Sequence, residues 1–313
     1  MEDKRIRQLV HENADFKNVI PAFDFGCFAG AYLFASEDDV FIDCFVQELV
    51  CKAYCKHLTS GGMPCGECEE CRKVISRTKI DVSYYGYNGT TIKKEEIKSL
   101  IDNVITKPFE SKEKFLVIEN AENLSEITQN LMLKTLEELP SFTTIIFKAK
   151  SLSSILPTIK SRCKTFSLKP LPRHSLLKIM GTSEKAIRMV DMSFGMLGTA
   201  LEYEKRQALF DSCYAFAEGM LYSFIEISEM PKYINLLTKN KDDIKHYIKI
   251  TLNLFALAYE GKVSHTSKPE MLAKIVLHCN ECLSLIDKKM NLNMIIDKFL
   301  MGIITTKTGG FYV

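Results

Sequence analysis

The chain is 313 residues long, 46% hydrophobic and 26% charged, which is too long for one core and too polar for a membrane protein; two or three globular domains are expected. No apolar run approaches the roughly 20 residues of a membrane span, and the charged start Met1-Glu2-Asp3-Lys4-Arg5 has no apolar stretch behind it to act as a secretory signal. A formal net charge of +2 argues against an autonomous nucleic-acid binder, so any contact with DNA would be local or shared with partners.

Residues 1–30 mix charge with Phe16, Val19, Ile20, Phe23, Phe25 and Phe28 and carry no recognisable motif. Ala31–Ala35 reads as a short buried strand, followed by the polar turn Ser36-Glu37-Asp38-Asp39. From Val40 to Cys55 apolar residues recur at helical spacing through Phe41/Ile42, Phe45/Val46, Leu49/Val50 and Ala53/Tyr54. Strand, turn and helix form the setting of a phosphate-binding loop, but that loop needs glycines, a Lys and a Ser/Thr. This turn offers three carboxylates with no Gly or Lys. Such charge suits a helix N-terminus and repels a nucleotide triphosphate, so the chain is expected neither to bind ATP tightly nor to hydrolyse it.

The most informative stretch runs from Cys55 to Cys71. One thiol, Cys55, is followed by a nine-residue loop and two Cys-x-x-Cys turns that share Cys68, namely Cys65-Gly-Glu-Cys68-Glu-Glu-Cys71. Zinc takes four thiolates in a closed structural site, and tight turns bring two sulfurs to one ion. Gly61, Gly62, Pro64 and Gly66 supply turn geometry. Cys51, one helical turn earlier, competes as first ligand, and His57 is a weaker candidate. With 11 cysteines, an odd number lacking any disulfide framework, the reducing cytoplasm is the expected compartment.

Asp81–Tyr87 reads as a second strand, Asn88-Gly89 as its break, and Ile92–Thr106 as an amphipathic helix stopped by Pro108. Phe115–Ile118 reads as a central parallel strand that delivers Glu119 and Glu122 to the edge where ligands of open α/β sheets gather. A magnesium-dependent ATPase would place an Asp-Glu pair there, so the match is partial. Ser125 caps a helix over Glu126–Glu138 with Ile127, Leu131/Met132 and Thr135/Leu136 inward. Strands follow at Thr143–Ala149 and Thr165–Leu168, and strands alternating with helices predict a parallel sheet covered on both faces. Lys169-Pro-Leu-Pro172 is the best domain boundary, short helices fill 173–204, and helical periods continue over Arg206–Ile227, Lys241–Tyr259, Met271–Asp287 and Leu292–Ile304. Cys279-Asn-Glu-Cys282 falls inside that periodicity, where packing is a better explanation than metal.

The thiol cluster, Ile118-Glu-Asn-Ala-Glu-Asn-Leu124, Leu133-Lys-Thr-Leu-Glu-Glu138 and Leu156-Pro-Thr-Ile-Lys-Ser-Arg-Cys163 together resemble the clamp-loader subunits of bacterial DNA polymerase III, most strongly over residues 30–201. The missing phosphate loop makes the chain similar to the delta-prime branch rather than to the gamma/tau ATPases. The resemblance implies an α/β AAA+ nucleotide-binding-type domain over 1–168 with a zinc module at 55–71, a small helical lid over 169–204, and an all-α C-terminal collar over 205–313. It implies structural Zn2+ on Cys55, Cys65, Cys68 and Cys71, although the first two thiols are one residue further apart than the family pattern has them. It also implies that Arg162 reaches in trans into the ATP site of a neighbouring gamma/tau subunit. Guanidinium suits that role because it is permanently charged and its planar fork matches phosphate oxygens. Gly198 stands where the ATPase branch carries a phosphate-sensing arginine, and Cys163 is read as a buried thiol. The implied partners are gamma/tau and delta subunits in a five-membered ring, with the sliding clamp and primed DNA reached through the complex. Two rival readings remain: a self-sufficient AAA+ ATPase with an atypical phosphate loop, and a zinc-dependent nucleic-acid binding module.

Overall fold

The uninterrupted apolar runs of the sequence occupy the centre of a sheet whose two faces are both covered. The computed structural model describes residues 2–23, 29–86, 92, 94–222 and 230–307. Phe25, Phe28, Tyr87, the Asn88-Gly89 break and the last five residues expected of the helix ending at Ile227 lie outside the described residues. Contacts divide the chain into two compact units, Met1–Ile179 with Gly195–Thr199, and Met180–Phe194 with Ala200–Val313.

The elements of the first unit are α1 (Glu2–Glu12), α2 (Ala14–Val19), β1 (Gly30–Ala35), α3 (Asp39–Tyr54), α4 (Glu69–Ile75), β2 (Val82–Tyr85), α5 (Lys94–Ile105), β3 (Lys114–Ile118), α6 (Glu126–Leu131), α7 (Leu133–Glu137), β4 (Thr143–Ala149), α8 (Pro157–Lys160), β5 (Lys164–Ser167) and α9 (Arg173–Met180), the last residue of which falls to the second unit. Among the described residues the five strands form one parallel sheet in the order β2-β3-β4-β1-β5. Every residue of β3 and β4 is buried, the pattern of strands covered on both faces. Alternation then sorts the side chains. Ala31, Leu33, Leu116, Ile118, Ile145 and Phe147 pack with Ile97, Leu100 and Val104 of α5 and with Met132 and Leu136. Tyr32 and Phe34 point the other way, into an aromatic cluster in which the Phe34 and Phe45 rings lie 5.4 Å apart and those of Phe16 and Phe45 5.1 Å apart. Phe16 thus gives the N-terminal segment, unassigned from sequence, a place in the core.

Two expectations in this unit need correction. The single helix over Glu126–Glu138 is two, broken at Met132, and Ile127 and Leu131 face outward while Thr128 and Gln129 are buried. The cause is Gln129, whose amide donates to the carbonyls of Leu124 (3.1 Å) and Ser154 (3.2 Å) and accepts from the Leu156 amide (2.8 Å). A fully satisfied buried amide turns the helix against its apolar periodicity. Ser125 does cap α6, accepting from the Thr128 amide at 3.2 Å. Cys163 is half-buried against the α5-side core rather than buried, and desolvation pushes its thiol up to about 12.

Pro170 and Leu171 are held within the first unit. Leu171 N–H donates to Gly195 O at 2.8 Å, and Gly195, at φ +82°, has no room for a Cβ, which would sit 2.7 Å from Leu171 O.

The second unit is helical among its described residues: α10 (Glu184–Ser193), most of α11 (Leu197–Lys205), α12 (Gln207–Tyr222), α13 (Met230–Lys239), α14 (Ile244–Tyr259), α15 (Pro269–Asp287) and α16 (Leu292–Lys307). Helix α13 was not anticipated. Helix α14 is buried on nearly every side, so it is the central element of this unit. Phe216 joins Tyr233, Tyr247 and Phe299 at ring distances of 5.8, 5.5 and 6.0 Å. Cys279 and Cys282 are both buried in α15, in agreement with packing. No described helix is long and apolar enough to cross a membrane.

Candidate functional site

Helix α3 ends at Tyr54, and Cys55, in extended backbone, leads the chain into the loop that returns at Cys65. Gly66, at φ +71°, turns the chain so that Cys68 becomes the N-cap of α4 and Cys71 lies in its first turn. Folded this way, the sulfurs of Cys55, Cys65, Cys68 and Cys71 all lie within 4.8 Å of one another. The Cys55 and Cys65 sulfurs are 3.6 Å apart, close to the roughly 3.8 Å edge of a tetrahedron built on Zn–S bonds of about 2.3 Å. Backbone amides already point at these sulfurs: Cys65 N–H to Cys55 Sγ at 3.3 Å, and Cys68 and Glu67 N–H to Cys65 Sγ at 3.3 and 3.5 Å. Burial opposes ionisation of Cys68, but the amides of Cys71 and Lys56 outweigh it and bring the thiol down to about 6, whereas burial pushes Cys55 up to about 12. The donor set is soft, closed and knuckle-shaped, and it fits one tetrahedral metal ion with no vacant position.

The competing candidates stand outside this cluster. Cys51 is buried one turn earlier with its thiol 3.9 Å from Cys71 O, and His57 is exposed. Sequence reasoning missed the residues that hold the loop. Lys52 donates to Gly62 O, and Arg7, on α1, donates to Pro64 O at 3.1 Å and Cys65 O at 3.3 Å. For Arg7 the sequence signal was the basic Lys4-Arg5-Ile6-Arg7 stretch of the first helix; for Lys52 there was none.

The second candidate region is the carboxyl edge of β1 and β3. Asp38 caps α3 by accepting from the Phe41 amide at 3.1 Å, and the same carboxylate accepts from the amides of Leu197 and Gly198, the latter at 3.1 Å. Two helix N-termini therefore converge on one internal anion, where dipoles favour negative charge. Burial pushes the Asp38 pKa up while the amides of Phe41, Gly198, Leu197 and Val40 pull it down, leaving it raised. A Cβ at Gly198 would approach Val40 to 2.9 Å and Asp38 Oδ1 to 3.1 Å. Beside this turn lies an open cleft of about 420 Å³ lined by Ser36, Glu37, Lys150, Ser167, Leu168 and Met196.

Glu119, at the end of β3, is buried and paired. It meets Arg77 at 3.0 Å and the buried Lys148 of β4, and Lys148 also contacts Asp43. Parallel register explains the meeting, because Ile118 faces Phe147 and the next residue on each strand is Glu119 or Lys148. Glu122 accepts from the Lys150 amide at 3.2 Å. Both carboxylates that could have served magnesium are thus engaged within the chain.

Arg162 belongs to neither cluster. It follows α8, is exposed, and its guanidinium rests on Glu137 (Nε to Oε1, 2.8 Å) and Thr158 O (3.0 Å). A surface pair of this kind is worth under about 1 kcal/mol, so Arg162 is parked rather than locked.

Comparison with known proteins adds to this geometry. The chain is 27% identical over 211 residues to a DNA polymerase III subunit gamma/tau of Mycoplasma pneumoniae, covering 63% of this chain and 29% of that protein. It is 27% identical over 154 residues to a DNA polymerase III subunit delta' of Haemophilus influenzae, covering 49% of this chain and 46% of that one. The chain thus spans less than half the length of these relatives. A gamma subunit-related protein of DNA polymerase III from Thermotoga maritima, solved at 2.00 Å, shares the fold at a TM-score of 0.56 and 16% identity, covering 94% of this chain and 99% of that one. The family described as DNA polymerase III, delta subunit, matches residues 14–172. That match takes in the parallel sheet, the four clustered thiols and Arg162, and extends over more than half of the sequence; the chain belongs to the DNA polymerase III delta-subunit family, among the clamp-loader proteins.

Proposed function

We propose that this chain is a delta-prime-type subunit of a bacterial clamp loader, one that does not hydrolyse ATP itself and lends Arg162 to ATP held by an adjacent gamma/tau subunit. The observation that carries the reading is the Ser36–Asp39 turn. In place of glycines and a lysine it presents Asp38, whose carboxylate already takes the amides of Phe41, Leu197 and Gly198. A triphosphate entering there would meet an anion rather than free N–H groups, and the two acidic residues of the β3 edge, Glu119 and Glu122, are engaged within the chain.

In this reading one Zn2+ on Cys55, Cys65, Cys68 and Cys71 is structural, because four thiolates complete its shell and leave no place for substrate. It would tie down a loop too small to hold itself together by packing. The division into an AAA+ domain over 1–168, a lid over 169–204 and a collar over 205–313 belongs to the same proposal. So do the partners: gamma/tau and delta subunits in the ring, the sliding clamp, and primer-template DNA, in the cytoplasm.

The test is Arg162→Ala in an assembly reconstituted with gamma/tau and a delta-type subunit. An arginine supplied in trans accelerates phosphoryl transfer on the order of 10³-fold or more, so total ATP turnover should fall by the share of the neighbouring site while the assembly stays intact. Unchanged turnover removes Arg162 from the mechanism. The rival, an ATPase with an atypical phosphate loop, predicts micromolar binding of labelled ATP to the isolated chain in equilibrium dialysis; the present reading predicts none.

A further inference from the structure

Arg7 stands where α1, α3 and the thiol loop meet, and its guanidinium is divided between two tasks. Nε lies 2.5 Å and Nη2 3.0 Å from the two carboxylate oxygens of Glu48 on α3. Nη2 and Nη1 also donate to Pro64 O and Cys65 O, at 3.1 and 3.3 Å. Glu48 is only 1% exposed, and His11 Nε2, also on α1, lies 2.5 Å from Glu48 Oε2. A buried carboxylate is costly unless paired and hydrogen-bonded, so Glu48 ties α1 to α3 and fixes the position of the guanidinium.

The thiol loop is shaped around that fixed group. Gly66 is at φ +71°, and a Cβ placed on it would fall 1.1 Å from Arg7 Nη1, so the guanidinium fills the space a side chain would need. Cys65 N–H in turn points at the Cys55 sulfur, and the amides of Glu67 and Cys68, just past Gly66, point at the Cys65 sulfur. The turn that Arg7 holds is therefore the one that aims donors at two of the four clustered sulfurs.

We propose that Arg7, anchored by Glu48, is a positioning residue of the metal centre, and that metal loading and docking of α1 are thermodynamically linked. The inference rests on the metal reading above. It assigns the N-terminal helix to the metal module, although it lies more than 40 residues from the nearest of the four cysteines. Linkage is reciprocal: whatever factor in metal affinity is lost when Arg7 lets go must reappear as destabilised docking of α1 when the metal leaves.

The experiment titrates the full-length chain with zinc against a chromophoric chelator and compares wild type with Arg7→Ala, Arg7→Lys, Glu48→Gln and Leu9→Ala. Loss of an outer-shell partner typically lowers metal affinity about 10- to 100-fold, and that loss is expected for Arg7→Ala. Arg7→Lys, which keeps the charge beside Glu48 but has no planar fork for two carbonyls, should fall in between, and it carries the test if Arg7→Ala does not fold. Leu9→Ala thins the packing of α1 (Leu9 is buried) but leaves the Arg7 fork in place, and should lower zinc affinity by less than Arg7→Ala does. Hydrogen exchange of residues 4–12 should accelerate when the wild type is chelated. Equal affinity for wild type and both Arg7 variants overturns the link alone, and a Leu9→Ala loss as large as that of Arg7→Ala overturns the positioning role of Arg7, because any loosening of α1 would then act alike. A wild type that binds no zinc overturns the metal reading and the link with it.

Discussion

Asp38 illustrates how one side chain can decide what a fold is able to bind. Its carboxylate caps α3 and accepts from Leu197 and Gly198, backbone groups about 160 residues further along the chain. Asp38→Ser keeps a capping oxygen for Phe41 but releases the two remote amides. The expected loss is about 1–3 kcal/mol, the penalty for unsatisfied buried donors. Inorganic phosphate should recover part of that loss by occupying the vacated position, raising the variant's melting temperature more than the wild type's. Equal responses to phosphate in the two proteins would show that the amides do not form a latent anion site. The three acidic residues of the turn were legible in the sequence and gave the right sign of charge. That the acid closes onto Gly198 was not legible, because a contact across this distance leaves no periodicity to read.

At the level of elements, β1, β3 and β4 were legible because each carries a run of three or more apolar residues, as central parallel strands do, and α3 because its apolar positions recur at helical spacing. The thiol cluster was legible from spacing alone, since two short turns constrain three sulfurs before any tertiary contact forms. Helix α6 was misread, because Ile127 and Leu131 obey the period while the buried Gln129 sets the facing. The network where β3 meets β4 makes its own prediction. Lys148→Met strips the buried Glu119 of one cation while leaving Arg77, and should cost about 3 kcal/mol, the low end of the range for breaking a buried pair. Adding Glu119→Leu should restore most of that loss, because an apolar pair has no charge to desolvate. Urea unfolding of the two variants decides the matter; a double variant weaker than Lys148→Met would assign Glu119 a stabilising role apart from this pair.

For the whole molecule, the family match ends at residue 172, and the whole of the helical unit lies beyond it. Helical period was readable there, but a helix face buried by a neighbouring helix and one reserved for another subunit have the same composition. Assembly is therefore the property to measure. Co-expressed with a gamma/tau-type ATPase and a delta-type subunit, the chain should co-purify with both in one complex; a chain that elutes alone leaves the clamp-loader role unsupported. The sheet constrains how such a complex forms. Its outermost strands, β2 and β5, are four residues long, and β5 carries Lys164, Thr165 and Ser167 toward solvent. Margins this short offer an incoming strand few backbone partners, and the β5 side is polar as well. In the proposed assembly, neighbours would then join through side chains and helix surfaces instead of knitting one continuous ribbon, and such joints can open and re-form without unravelling any subunit's interior.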